Sequence, residues 1–217
     1  MANILDTTRS YLTPVLIDQA ATLSGESEGG ISKAFNGLVP SMLAGMLDKT
    51  ADPEAMADMH AALSRFPTEV PEQLGRYLDS GNLAHGDPRD AAGHLLGHVF
   101  GSKVPAVIRS VAAFAGVKTD TASMLLGLAG PLLMSVLRRR IDTEGLTVAG
   151  LANTLIDEKD AIYAVLPTGM SAILNLKGPK ISTPAAPEAA TGIDWILPLL
   201  LLLVLGGGLM FYLKYCG

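Results

Sequence analysis

Cysteine is almost missing from the chain. The one present, Cys216, has no partner, so neither an intramolecular disulfide nor a cysteine-based zinc site can form. Aromatic residues are scarce at 5%, which makes any core aliphatic. Charged residues reach only 17%, against about 25% in ordinary globular domains. Their balance is acidic, with a net charge of −5. A mildly acidic domain lacks the basic surface that binds phosphate backbones, which excludes nucleic acid as a partner. It is equally unsuited to broad adhesion to anionic lipid. The opening MANILDTTRSYLTPVL has neither a basic n-region nor an apolar h-region, so no signal peptide is expected. Strand-like alternation is absent. So are GxSxG, a Walker A glycine loop and GxGxxG.

What is present is mostly helical signal, over residues 1–176. Leu16, Ala20 and Leu23 share one face of segment 15–24, and Ile31, Phe35, Leu38, Met42 and Met46 recur at helical spacing in 28–48. Asp52-Pro53 and Asp87-Pro88 are N-cap-plus-proline starts. About eight or nine short helices are expected. The nine methionines suit gap-filling in an aliphatic core.

An internal repeat organises these helices. Shifting the chain by 91 positions lays segment 15–49 on 106–140 without a gap. Gly25 falls on Gly116 and Pro40 on Pro131, with Ala21 on Ala112 and Ser32 on Ser123. Each copy reads as a helix, a glycine stop, then a longer helix with an internal proline. Glycine just past a helix end supplies the left-handed C′ position. An internal proline removes one hydrogen bond and should kink or restart its helix. Leu166-Pro167 is a weaker third echo. The expected fold is all-α: an irregular orthogonal bundle of two helix-Gly-helix(Pro) halves packed across a pseudo-twofold, followed by one C-terminal transmembrane helix.

That last helix is the apolar run WILPLLLLLVLGGGLMFYL, residues 195–213. Its 19 uncharged residues would span roughly 28 Å, close to the ~30 Å hydrocarbon core. Trp195 stands at one end, with Phe211, Tyr212 and Tyr215 at the other, as interfacial aromatics do. Pro198 falls in the first turn, and Gly206, Gly207 and Gly208 are tolerable in lipid. The anchor is taken as 193–215. Residues 177–192, KGPKISTPAAPEAATG, read as a proline- and alanine-rich spacer. The bilayer is therefore an expected partner. Lys177 and Lys180 before the run, against Lys214 after it, favour a cytoplasmic N-terminal domain on a single-pass inner-membrane protein. Cys216 is expected as an unpaired thiol.

The helical elements LTPVLIDQAATLSGESEGGISKAFNGLVPSMLAGM, HLLGHVFGSK and FAGVKTDTASMLLGLAGPLLMSVL, in this order, resemble the bacterial domain-of-unknown-function family nine-three-seven, a relative of the YidB-like proteins. The resemblance covers residues 3–176 and implies an all-helical fold with no catalytic residues. Similar chains often continue through a membrane helix into an OmpA-like domain that binds peptidoglycan. No residues matching such a domain are among the 217 of this chain, so no peptidoglycan role is carried over from the resemblance.

Candidate chemistry is thin. His94 and His98 lie one helical turn apart with Asp90 a turn earlier, the single metal-like spacing in the chain, and His85 or Asp87 would have to complete it. HLLGH has Leu95 where a zincin carries glutamate. The plainer expectation packs His98 between the repeats and leaves His94 in solvent. Arg138, Arg139 and Arg140 follow an apolar run and are expected at a helix C-terminus, complementing its dipole, or else facing lipid headgroups or an acidic partner. Glu26, Glu28, Asp157, Glu158 and Asp160 sit in polar turns and are expected to be ordinary solvated carboxylates. The functional expectation is a membrane-anchored, non-enzymatic interaction or scaffolding protein of the bacterial envelope, without cofactor, that binds a protein partner or itself. The rival is a metal-dependent enzyme using Asp90, His94 and His98.

Overall fold

In the computed structural model, residues 3–79 and 88–176 are described. They are helical, and no strand occurs among them. The linker 177–192, the apolar run with Trp195, Pro198, Gly206, Gly207, Gly208 and Tyr212, and also His85, Asp87 and Cys216, lie outside the described residues.

Eleven α-helices run along the described chain. They are α1 (Ile4–Ser10), α2 (Pro14–Ser24), α3 (Glu28–Asp48), α4 (Pro53–Leu63), α5 (Val70–Asp79), α6 (Pro88–Phe100), α7 (Val104–Ala115), α8 (Thr119–Glu144), α9 (Val148–Asp157), α10 (Lys159–Ala164) and α11 (Met170–Leu174). Short 3-10 turns, Lys49–Ala51 and Gly101–Lys103, follow α3 and α6.

The starts of these helices are chemically explicit. Thr13, Ser27 and Thr147 each accept an N-terminal amide of α2, α3 and α9. Asp52 accepts from both Glu54 and Ala55 at the head of α4, where Pro53 gives up no needed donor. Gly25 ends α2 at φ 67°, Gly116 ends α7 at φ 73°, and Gly145 ends α8 at φ 62°. After Gly25 and Gly116 the next amide turns back in the same way, Glu26 to Ala21 at 3.2 Å and Val117 to Ala112 at 3.1 Å.

Two helices form the centre. In α3 every residue from Gly37 to Leu47 is buried, and in α8 every residue from Leu128 to Leu137. Ile31, Phe35, Leu38, Met42 and Met46 are all among the buried set. Around α3 pack α2, α7, α8 and α10; around α8 pack α5, α6 and α7. Burial on all sides explains why the prolines do not divide these helices. Pro40 and Pro131 each sit inside a continuous helix of 21 and 26 residues. A proline costs about 3 kcal/mol in an isolated helix, and here close packing from every direction offsets it. The longer helix with an internal proline is thus present in both copies, without the restart that proline allowed; the expectation of eight or nine short helices is corrected to eleven among the described residues. Pro167 lies between α10 and α11 instead, where its ring rests against Gly37. Leu23 is a second correction. It is 54% exposed although Leu16 and Ala20 on the same helix are buried.

By length and composition α8 could cross a membrane, the one such helix among the described residues. Its most apolar window is 78% buried within the fold, as in the core helix of a globular protein.

The turn after α2 does two jobs. Ser27 caps its own helix α3, while the Glu26 carboxylate accepts the Lys118 amide at 2.8 Å. Lys118 offers α8 no side-chain cap, so Glu26 supplies one from 92 residues away. Gly30 makes the approach feasible, since a Cβ there would stand 2.9 Å from the Val117 side chain.

Candidate functional site

The α6 helix is fixed by its inner face. Ala92, Leu95, Leu96 and Val99 are buried, and Phe100 lies directly over Gly45 of α3. With those positions turned inward, the 3.6-residue period turns Asp90, His94 and His98 outward, and all three are exposed. His98 therefore does not pack between the repeats. The burial of Leu95, three positions earlier, and Val99, one later, leaves it the outer arc.

Opposite α6 runs α4, with Ala55, Asp58, Met59 and Ala62 at three- and four-residue spacing. The two helices and Lys49 enclose a groove of about 320 Å³. Met59, Leu95 and Val99 form its apolar floor; Lys49, Asp58, His94 and His98 supply its polar groups. A second hollow of about 200 Å³ shares Lys49, His98 and Val99 with the first and reaches Lys103 and Leu174. Asp90, the carboxylate that spacing alone pairs with the histidines, is not among the groove's lining residues. Asp58 of α4 takes that place. Among the described residues no three His, Cys, Asp or Glu side chains gather as a metal site. The groove's α4 wall was not found from the sequence. The signal was available in the Asp52-Pro53 helix start and the 55-58-59-62 spacing, but neither says what α4 would face.

The histidines differ in their attachments. A ring nitrogen of His60 pairs with the Leu146 carbonyl oxygen at 2.8 Å, and the Ser64 hydroxyl lies 3.4 Å from the other. His94 and His98 have no hydrogen-bond or ion-pair partner among the described residues.

The arginine triad does not sit at the helix end expected for it. α8 continues past Arg140 to Glu144 and has no basic residue in its last turn. Arg138 donates to the Ser64 carbonyl and pairs with Asp142 at 2.8 Å. Arg139 donates to the Thr68 carbonyl at 2.7 Å, to the Tyr11 hydroxyl at 2.9 Å, and to both Glu72 oxygens at 2.6 and 2.8 Å. The two bonds from the one guanidinium nitrogen, Nη2, hold the Glu72 carboxyl below its ordinary range and raise the Arg139 guanidinium. Arg140 donates to Glu144 at 3.0 Å and to Glu158 at 2.8 Å.

Glu158 departs furthest from expectation among the turn carboxylates. It is buried at 9% exposure, and both its oxygens accept the Ile4 amide, at 3.0 and 2.9 Å. Arg140 and Glu158 thus tie the first helical turn to α8 and α10. The triad's cations are engaged within the domain, whereas Lys49, Asp58, His94 and His98 of the groove have no such partners among the described residues.

The family model described as "Bacterial protein of unknown function (DUF937)" matches residues 6–140. The chain belongs to the DUF937 family. The match begins in α1, takes in α3, the whole groove and α8 past Pro131, and ends at Arg140 inside α8. The helices α9 to α11 follow it and pack on the DUF937 region through α3, α4 and α7. No curated protein and no solved structure matches the chain.

Proposed function

We propose that this DUF937 chain is a membrane-held, non-enzymatic interaction or scaffolding protein of the bacterial envelope. The reading rests chiefly on the α4–α6 groove. Its floor is apolar and its rim carries unpaired polar groups, the composition of a surface that receives another side-chain cluster. Most other charged side chains that could act together, the arginine triad with Glu72, Glu144 and Glu158, are consumed in holding helices to one another. A metal-dependent enzyme built on Asp90, His94 and His98 has less support, because Asp90 stands outside the groove.

Two further parts belong to the same proposal. Residues 195–213 act as a single transmembrane helix, with the domain on the cytoplasmic face of the inner membrane, supported by the uncharged length and terminal aromatics of that run. Segments 15–49 and 106–140 act as two halves of one repeat. The left-handed glycines at 25 and 116, and the prolines at 40 and 131 inside fully buried stretches, support this.

The test is site-specific photocrosslinking of the full chain in its host, with the probe at Ala62 or Ala91, both exposed beside the groove. The expected result is one discrete crosslinked species, lost when Ala91→Arg fills the groove and unaffected by a probe at exposed Arg65. Absence of crosslinks at either position, together with a monomeric full chain in detergent, would remove the reading.

A further inference from the structure

We infer that His94 and His98 form a two-point chelate for a borderline divalent transition metal ion, of the Zn²⁺, Ni²⁺ or Cu²⁺ class, on the α6 wall of the groove. Residues four apart on a helix carry Cβ atoms about 5–6 Å apart on one face. From that separation two imidazoles can converge on one ion at the usual ~2.0–2.1 Å metal–nitrogen distance.

Spacing alone is a weak signal, and the structure adds three observations to it. Both rings are exposed and line the same groove. Both lack a protein partner among the described residues, so no hydrogen bond has to be broken to release a nitrogen lone pair. His60 shows the contrast, since its ring nitrogens are engaged by Leu146 and Ser64. Finally, the helix that carries the pair cannot slide or fray at this point. Leu95, Leu96 and Val99 are buried between and beside the histidines, and the Phe100 ring is seated against Gly45. The two ligands are thus held at chelating separation before any ion arrives, which reduces the entropy lost on binding.

The donor set fixes the class of ion. Neutral imidazole nitrogens suit zinc, nickel and copper, while magnesium and calcium require oxygen ligands. Across the groove Asp58 adds a negative charge that offsets Lys49. No third His, Cys, Asp or Glu joins the pair in a ligand cluster among the described residues. The remaining coordination positions therefore face the groove, open to water or to a donor from whatever enters. Such an ion is exchangeable and adds nothing to the folded core, unlike a closed structural zinc.

This inference does not depend on the scaffolding reading. Its test is calorimetric titration of the full chain in detergent with Ni²⁺, and separately with Zn²⁺ and Mg²⁺. One-to-one saturable binding of Ni²⁺ and Zn²⁺ is expected, with none of Mg²⁺. His94→Ala and His98→Ala should each weaken Ni²⁺ binding at least tenfold, about 1.4 kcal/mol or more, while His60→Ala leaves it unchanged. Both substituted side chains are exposed, so the variants should melt with the unmodified chain when chelator is present. Equal Ni²⁺ affinity in the His94→Ala/His98→Ala double variant would overturn the assignment, as would the absence of saturable binding to the unmodified chain.

Discussion

Glu158 sits among polar neighbours, Asp157, Lys159 and Asp160, and composition gives no reason to bury it. It is buried because the first helix begins directly above it: the Ile4 amide, an unpaired donor of the first turn, needs an acceptor, and the carboxylate provides two oxygens. Arg140 balances the charge. Removing one partner of such an arrangement strands the other. Glu158→Ala is expected to lower unfolding free energy by about 3 kcal/mol, read from chemical denaturation, with Glu158→Gln intermediate because it keeps an acceptor for Ile4. An effect within 0.5 kcal/mol, of the order of an ordinary surface change, would show that the α1 attachment contributes little. Glu72 carries a different expectation. Its carboxyl is held below the ordinary range chiefly by the hydrogen bonds from Arg139. A depressed carboxyl contributes stability that is complete above its unfolded value, near pH 4 to 5, and is lost as pH falls through the lower folded value. Glu72→Gln should therefore lower the melting temperature in the neutral region and flatten the acid limb below about pH 5, so that its profile converges with that of the unmodified chain at low pH.

Elements were legible where local chemistry decides them. The helical class followed from the 3.6-residue period, and the buried set Ile31, Phe35, Leu38, Met42 and Met46 could be read directly from it. The start of α4 could be read from Asp52-Pro53. What depended on a distant partner could not. Leu23 and His98 were placed on the wrong side because periodicity gives relative orientation along a helix and not the neighbour it meets. The arginines were placed at a helix end because nothing local shows that α8 continues for another turn. Glycine divides the same way. Gly45 lies where a Cβ would stand 2.5 Å from the Phe100 ring and 2.7 Å from Val99, whereas Gly93 on α6 has nothing within 4 Å. The same substitution should therefore act with opposite sign at the two sites. Gly93→Ala should stabilise by up to about 1 kcal/mol through helix propensity alone, and Gly45→Ala should destabilise by about 2 kcal/mol through overpacking. Gly25→Ala meets open space but keeps φ at 67°, so its cost, about 1 kcal/mol, is purely conformational. Thermal melts of the three variants check the ordering.

For the whole molecule, the domain and the apolar run 195–213 make separate demands on a membrane. α8 satisfies the length and hydropathy of a spanning helix, yet it is enclosed by its neighbours, so the anchoring proposed above rests on the C-terminal run alone. Fractionation distinguishes the two. The full chain is expected to remain with membranes after alkaline carbonate washing, and Leu201→Arg with Leu202→Arg should release it, since each charge at the bilayer centre costs about 2.5–3.5 kcal/mol. If the double variant stayed in the membrane fraction, another part of the chain would be holding it there.

The three arginines of α8 have one more consequence. Consecutive residues on a helix point about 100° apart, so Arg138, Arg139 and Arg140 leave the axis in three directions and reach Ser64, the Thr68–Glu72–Tyr11 group and Glu158 respectively. The helix is keyed like a shaft in its housing: it can neither spin nor slip by a residue without losing all three attachments together. Inserting one alanine between Lys118 and Arg138 would turn the whole triad by that angle and disengage it in a single step. The same insertion after Gly145 would leave the key in its slot.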